Sequence, residues 1–242
     1  MKITSIKTDK IVPGHGDIYA LLDKFLPSLK ENSILVIASK VIAICEGKVE
    51  KIEGTDKDIL IEQESQLFLP REENPYSVSL TITQDTLIAT AGIDESNGDG
   101  FYILWPENPG KSARDIREYL KTRFNLKNVG VLITDSKTTP LRWGVTAISI
   151  GLSGFNPLKD YIGTPDIFGR ELIFTKMNVA DNLSCAAAVV MGEGSEQTPL
   201  AIIEDASFIE FTDIDDQEIK ISIEEDIFAP LLKGANWRKG KK

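Results

Sequence analysis

Apolar positions along this chain fall into two rhythms, and each predicts a kind of element. Ile34-Leu35-Val36-Ile37-Ala38 is an unbroken apolar run, the pattern of a buried strand. Ser39-Lys40 follows it directly. Val129 to Thr134, Val145 to Leu152 and Leu200 to Ile203 read the same way, and Ile3 to Ile11 alternates weakly as a strand. Val78 to Ile82 and Thr86 to Thr90 flank Gln84-Asp85, which predicts a strand pair around a turn. The helical rhythm starts after the turn Val12-Pro13-Gly14-His15-Gly16. Asp17 caps a helix to about Lys30, with Leu21, Leu22, Phe25, Leu26 and Leu29 on one stripe. Pro27 inside that stripe predicts a kink or an early end. Asp56 to Leu69 reads as helix with a charged outer face. Ser112 opens another, with Asp115 three residues on and an apolar face of Ile116, Tyr119, Leu120 and Phe124. Asn178 to Met191 is helical and alanine-rich, as close packing on a sheet favours, and Ser222 caps a last helix ending near Gly234. Strands and helices alternate irregularly. The pattern predicts a mixed α/β fold rather than a regular doubly wound sheet.

At 242 residues the chain fits one large domain or two closely joined ones. A formal net charge of -10 repels nucleic acid and anionic membranes, so neither is expected as a partner. A phosphate-bearing substrate would then need a local positive pocket or a metal. The basic end Arg238-Lys239-Gly240-Lys241-Lys242 reads as a solvated tail. Cys45 and Cys185 have apolar or small neighbours and read as buried free thiols of a reducing compartment. There is no CxxC pair to suggest structural zinc. No apolar run has the length of a membrane span, and the N-terminus lacks a signal-peptide core. The expected location is the cytoplasm.

Candidate chemistry gathers at three junctions: Ala91-Gly92-Ile93-Asp94-Glu95-Ser96-Asn97, Ile133-Thr134-Asp135-Ser136 and Met191-Gly192-Glu193-Gly194. Each follows an apolar run and ends in small, turn-prone residues. Converging carboxylates repel one another and usually need a cation, and an all-oxygen set suits Mg²⁺ or Mn²⁺ rather than zinc. Such ions most often serve phosphate chemistry. Taken singly, Asp94 or Asp135 is as readily a turn former or a helix cap. Glu193 between two glycines is less ordinary, because both neighbours allow close approach of a ligand. Ser39-Lys40 offers a hydroxyl and a cation to a phosphate. Arg142, in the loop Thr138 to Gly144, suits a phosphate clamp or stacking on Trp143. Pro109-Gly110-Lys111-Ser112 fails as a Walker A loop because Trp105 stands where the first glycine is required; it reads as a helix start, with Lys111 and Arg114 as anion contacts. His15, the single histidine, reads as a surface turn residue.

These segments, in this order, resemble the coenzyme F420-0:L-glutamate ligase (gamma-glutamyl ligase) family from about Pro13 to about Asp205. Further matches are Glu46-Gly47-Lys48, Ile148 to Gly154, Asp160 to Gly163, Gly169 to Leu172 and Ala180 to Leu183. The resemblance implies an irregular α+β, two-lobed, homodimeric fold, with residues 1–242 as one ligase-like unit. It implies a ligase that uses GTP and two divalent ions, Mg²⁺ or Mn²⁺, to join L-glutamate to a carboxylate of coenzyme F420-0 through an acyl phosphate. Carried over by position, Asp94 and Asp135 would bind one ion, and Ser136 and Glu193 a second; Asp94, Asp135 and Glu193 would be the catalytic set. Lys10, Ile11, Val12, Pro13, Ser39, Lys40, Asn97 and the loop Met191, Gly192, Gly194, Ser195, Glu196, Gln197, Thr198 would surround the nucleotide. Two family cations have no counterpart, Ile44 and Thr139 standing near their places. That opens two alternatives: a folate acceptor in place of the deazaflavin, or a nucleotide-binding homologue without ligase activity.

Overall fold

The computed structural model describes residues 1–14, 16–213 and 219–242. The reading of His15 falls outside them. At the centre stands a five-stranded sheet in the order β1-β12-β2-β8-β9, built from β1 (Lys2–Ile6), β2 (Ser33–Ala38), β8 (Val129–Thr138), β9 (Val145–Ser153) and β12 (Leu200–Glu204). Only β2 and β8 run parallel; the other neighbours are antiparallel. The mixed, irregular architecture expected from the sequence is therefore present. A four-stranded sheet follows the order β13-β4-β5-β6, from β4 (Leu67–Leu69), β5 (Leu80–Thr83), β6 (Thr86–Ala89) and β13 (Arg238–Lys239). Two strand pairs complete the set: β3 (Val49–Lys51) with β7 (Phe101–Ile103), and β10 (Leu158–Asp160) with β11 (Lys176–Asn178).

Alternation along β2 explains why its apolar run is unbroken. Leu35 and Ile37 pack on one face with α1 (Ile18–Phe25), α2 (Ser39–Glu46) and α4 (Pro109–Phe124), through Leu22, Leu26, Val41, Ile42, Ile116 and Leu120. Ile34 and Val36 pack on the other face with α5 (Val179–Met191), through Val179, Ala180, Leu183, Ala187 and Met191. The sheet is covered on both sides, so a strand in its middle needs apolar residues at every position. The small residues of α5 let it lie close to the sheet, as its alanine content predicted.

Several expectations need correction. The first helix stops at Phe25 rather than near Lys30, the early end that Pro27 predicted, because proline has no N–H to continue the ladder; Leu29 is buried beyond it without helical backbone. The segment expected as helix to Leu69 divides: α3 (Lys57–Glu64) stops before Ser65, and Leu67–Leu69 pairs with β5 and β13. α4 begins at Pro109 under an Asn108 cap, not at Ser112, whose hydroxyl instead donates to Glu46. The last helix, α6 (Ala229–Gly234), is short, and Ser222 lies in the turn before it. The basic terminus is not a free tail. Gly240 N–H donates to the Gln66 carbonyl at 2.9 Å, and Lys242 Nζ meets Glu64 at 2.6 Å. Both cysteines are free but only half-buried. The first strand stops at Ile6, well short of Ile11.

One close approach sets the register between α4 and the sheet. A Cβ on Gly151 of β9 would come 2.5 Å from the Pro109 carbonyl carbon, at the first residue of α4. Neither backbone can give way cheaply. Gly151→Ala is expected to lower stability by about 2 kcal/mol through forced separation of helix and sheet. Val189→Ala, on the exposed side of α5, is expected to change it by less than about 0.5 kcal/mol. Denaturant titration of both variants measures the contrast; equal midpoints would refute it.

Candidate active site

The pairing of β2 with β8 sets Ala38 opposite Thr134. Being parallel, the two strands run toward one edge: β2 ends at Ala38, and past that point Ser39-Lys40 lies beside Asp135-Ser136, which is still paired with β9. A bulge between Ile133 and Thr134 then shifts the register of β8 against β9. Beyond it, successive residues still point to opposite faces. Asp135 turns toward Trp105 and Ser39, whose N–H and hydroxyl donate to its carboxylate. Ser136 turns the other way and shares a side-chain hydrogen bond with Glu193, just past the end of α5.

Asp94 reaches the same place from the turn after β6. Thr90, Ala91 and Gly92 there take three consecutive left-handed conformations, φ 54°, 55° and 72°. Asp94 then accepts from Lys40 Nζ at 2.8 Å, from the Ser96 N–H at 2.7 Å and from Ser96 Oγ at 2.8 Å. Lys40 also donates to the Ser96 carbonyl at 2.7 Å. Asn97 Nδ2 donates to the Gly194 carbonyl at 3.1 Å, so the Asp94 turn and the glycine loop close over one space. Within that loop Glu196 folds back to accept the Gly194 N–H at 2.8 Å, and a Cβ on Gly192 would collide with it.

The space is a cavity of about 650 Å³. Asp94, Asp135, Ser136, Glu193, Ser39, Lys40, Asn97, Lys10, Ile11 and Val12 all line it. So does the loop from Met191 to Thr198. Pro13 does not. Three groups distant in sequence thus line one cavity. Among the described residues, no three Asp, Glu, His or Cys side chains stand close enough together to hold a metal ion. Arg142 lies on the exposed loop beyond β8, outside the cavity, and its stacking on Trp143 is not found. Lys111 lines a separate cleft with Glu46 and pairs with Asp115 at 2.5 Å. Two cavity carboxylates were missed by the sequence reading, Asp9 and Asp99. Asp99 sits between Gly98 and Gly100, the same glycine bracket that singled out Glu193.

The carboxylates differ in electrostatics. Burial raises the Asp135 pKa to about 6, against donation from Trp105, the Ser136 N–H and Ser39; the Asp94 charge raises it further. Burial alone would also raise Asp94, but the Lys40 ammonium and the Ser96 donors hold it below the ordinary carboxylate range. Glu193 is raised by burial, with Lys40 opposing and Glu196 and Asp94 adding to the rise. An acid destabilised in its charged form gains from a cation, and every donor here is oxygen. The residues fit Mg²⁺ or Mn²⁺ held by one or two protein ligands, with water and phosphate completing the shell. Asp94 with Asp135, and Ser136 with Glu193, would be such pairs.

The family model for F420-0:gamma-glutamyl ligase matches residues 5–205. The chain belongs to the F420-0:gamma-glutamyl ligase family. It is similar to the coenzyme F420:L-glutamate ligase of Methanococcus maripaludis, 34% identical over 90% of this chain and 93% of that protein. Identity to the enzyme of that name from Methanosarcina barkeri is 34%, over 84% and 86%. For Methanopyrus kandleri the figures are 35%, over 77% and 80%. The members of this family are ligases that form an amide bond, and the chain is an enzyme of that class. The match spans every wall of the cavity, from Thr8 to Pro199. No helix among the described residues is long and apolar enough to cross a membrane.

The raised Asp135 pKa has a sign that can be tested. A carboxyl whose folded pKa exceeds its unfolded value stabilises the fold at low pH and loses that contribution as pH rises. Between about pH 4 and about pH 6 the wild-type chain should therefore lose roughly 2–3 kcal/mol from this group. Asn at 135 does not titrate. In chelator-treated protein, the melting temperature of Asp135→Asn relative to wild type is expected to climb by several degrees from pH 4 to pH 7. A pH-independent difference would contradict the burial account.

Proposed function

We propose that this ligase joins L-glutamate to the carboxylate of coenzyme F420-0, using GTP and divalent metal. The observation that carries the reading is the oxygen-lined cavity around Lys40, with two pairs of metal-suited side chains on its wall. The relatives' names supply the acceptor and the amine. Two cations, Lys10 and Lys40, face a space whose other charged lining residues are acids, which supports a triphosphate brought in with ions that offset its charge.

When bound, the ions would neutralise charge on the phosphoryl oxygens. Asp94 with Asp135 would hold one, and Ser136 with Glu193 the other. Lys40 would place its ammonium against phosphate oxygens, and Ser39 would keep Asp135 oriented. The N–H groups in the first turn of α2, which has no side-chain cap, favour an anion. A carboxylate is a poor electrophile, so the acceptor would first take the γ-phosphoryl group, releasing GDP. The amine of glutamate would then attack the acyl carbon and phosphate would leave. No protein nucleophile is needed. Ile11, Val12, Val41 and Ile44 give the cavity an apolar side that limits water near a hydrolysable intermediate. Ile44 also favours a second reading, a folate acceptor, because an apolar side chain cannot contact a phosphate group of the acceptor.

Purified protein offered F420-0 or folate, with GTP, glutamate and Mn²⁺, is expected to form the glutamyl product of F420-0. Asp135→Asn is expected to lower turnover at least about 100-fold while the fold persists. Product on folate alone would select the second reading. GTP binding without product on either acceptor would leave a nucleotide-binding homologue. Undiminished turnover by Asp135→Asn at saturating metal would refute the metal role.

We further propose that the single unit, its two larger sheets forming two lobes, works as a homodimer. Leu141, Trp143, Ile167, Phe168 and Phe174 are almost wholly exposed, Trp143 to 93%. Apolar surface of that kind calls for a partner, and a second copy is the simplest one. Sedimentation equilibrium at micromolar concentration should give twice the chain mass, and Trp143→Asp with Phe168→Asp should give the monomer. A monomeric wild type would sink the proposal.

A further inference from the structure

Trp105 is 3% exposed and belongs to the main core with Ile88, Ile133 and Ile150. Its Nε1 edge meets two distant parts of the chain. Nε1–H donates to Asp135 Oδ2. The same edge lies so close to Gly92 that a Cβ there would come 2.1 Å from Nε1. Gly92 closes the left-handed turn that leads, two residues later, to Asp94. One edge of the indole therefore touches both the backbone that leads to Asp94 and the carboxylate of Asp135. We infer that Trp105 is a positioning residue that sets Asp135 relative to Asp94 for a shared divalent cation; the inference rests on the metal role proposed for that pair.

The chemistry of the donor supports this assignment. An indole N–H only donates, so it orients a carboxylate without adding positive charge that would repel an incoming cation. With the Ser136 N–H on Oδ1 and the Ser39 hydroxyl, it occupies three of the carboxylate's roughly four acceptor positions and leaves about one for a ligand. Lys40, which steadies Asp94, carries a full charge and must compete with any ion there. The two carboxylates are thus held by different means. Outer partners of metal-binding carboxylates commonly change metal affinity 10- to 100-fold when removed. A purely structural reading has Asp135 serve only to satisfy a buried indole N–H. On that reading the loss of the N–H changes stability alone.

The test is Mn²⁺ affinity, read by electron paramagnetic resonance of free ion, for wild type, Asp135→Asn and Trp105→Phe. The positioning role predicts that Trp105→Phe binds Mn²⁺ at least about 10-fold more weakly than wild type. The same variant should show a raised KM for metal with a smaller change in kcat at saturating metal. Should phenylalanine leave the chain misfolded, benzothienylalanine introduced at position 105 keeps the ring shape and removes only the N–H, and the same weakening is expected. If wild type binds Mn²⁺, Asp135→Asn loses it, and neither replacement of Trp105 alters affinity, the positioning role is overturned while the metal site stands. If wild type binds no Mn²⁺ at millimolar concentration, the metal reading fails and takes this inference with it.

Discussion

The parallel pairing of β2 with β8 is the constraint on which the site depends. Because both strands run in the same direction, β2 ends beside Thr134 and the next residues of two unrelated sequence segments lie side by side at one edge. One becomes the first turn of α2 with Ser39 and Lys40; the other continues as Asp135 and Ser136. An antiparallel pair would send the second segment to the far edge. The buried faces of β2 fix the register, since a one-residue slip would turn Leu35 and Ile37 into the layer built for Ile34 and Val36. Apolar packing on both faces of the sheet therefore decides where the charged groups stand. The bulge, whose extra residue is Ile150 of β9, then shifts the register after Ile133 without breaking the pairing of β8 with β9.

Around that edge the acids are kept apart in character. Asp94 stays ionised against its burial because Lys40 and the Ser96 donors hold it so. Asp135 is enclosed and held by neutral donors, and burial raises its pKa to about 6. A cation entering beside Asp135 would relieve a cost of burial, whereas one entering beside Asp94 would have to displace an ammonium.

Much of this was legible in the chain. Unbroken apolar runs marked β2 and β8 because covered strands need no polar side, and the glycines beside Glu193 marked its loop, although Asp99, with the same bracket, went unread. The cap at Asp17 and the turn at Gln84-Asp85 were local and found locally. What escaped depended on distant partners. Leu67–Leu69 carries no rhythm of its own and is a strand only because β5 and the C-terminal Arg238–Lys239 flank it. Ser112 looks like a cap, yet Asn108 sits one turn earlier and Pro109 already fixes the first helical φ. The helix α2 was hidden because its eight residues are buried at five positions, which blurs any amphipathic stripe. Trp105 looked only like a failed Walker glycine; its partner is 30 residues away and met across a core no pattern displays.

Lys40 raises the question of how a site closed by an ion pair could open to a metal. The pair with Asp94 is partly exposed, with side-chain exposures of 26% and 48%. Such pairs contribute at most about 1 kcal/mol, since solvent screens the attraction and both side chains lose freedom in forming it. A triphosphate offers Lys40 several anionic oxygens in place of one carboxylate. On the ligase reading, nucleotide arrival would draw Lys40 from Asp94 at small cost and leave that carboxylate to the accompanying ion. Nucleotide and metal would then enter together, because each removes the obstacle to the other: the phosphate takes the lysine, and the ion takes the freed acid. The Ser96 donors, which stay on Asp94 when Lys40 leaves, would keep its carboxylate aimed at the cavity through the exchange.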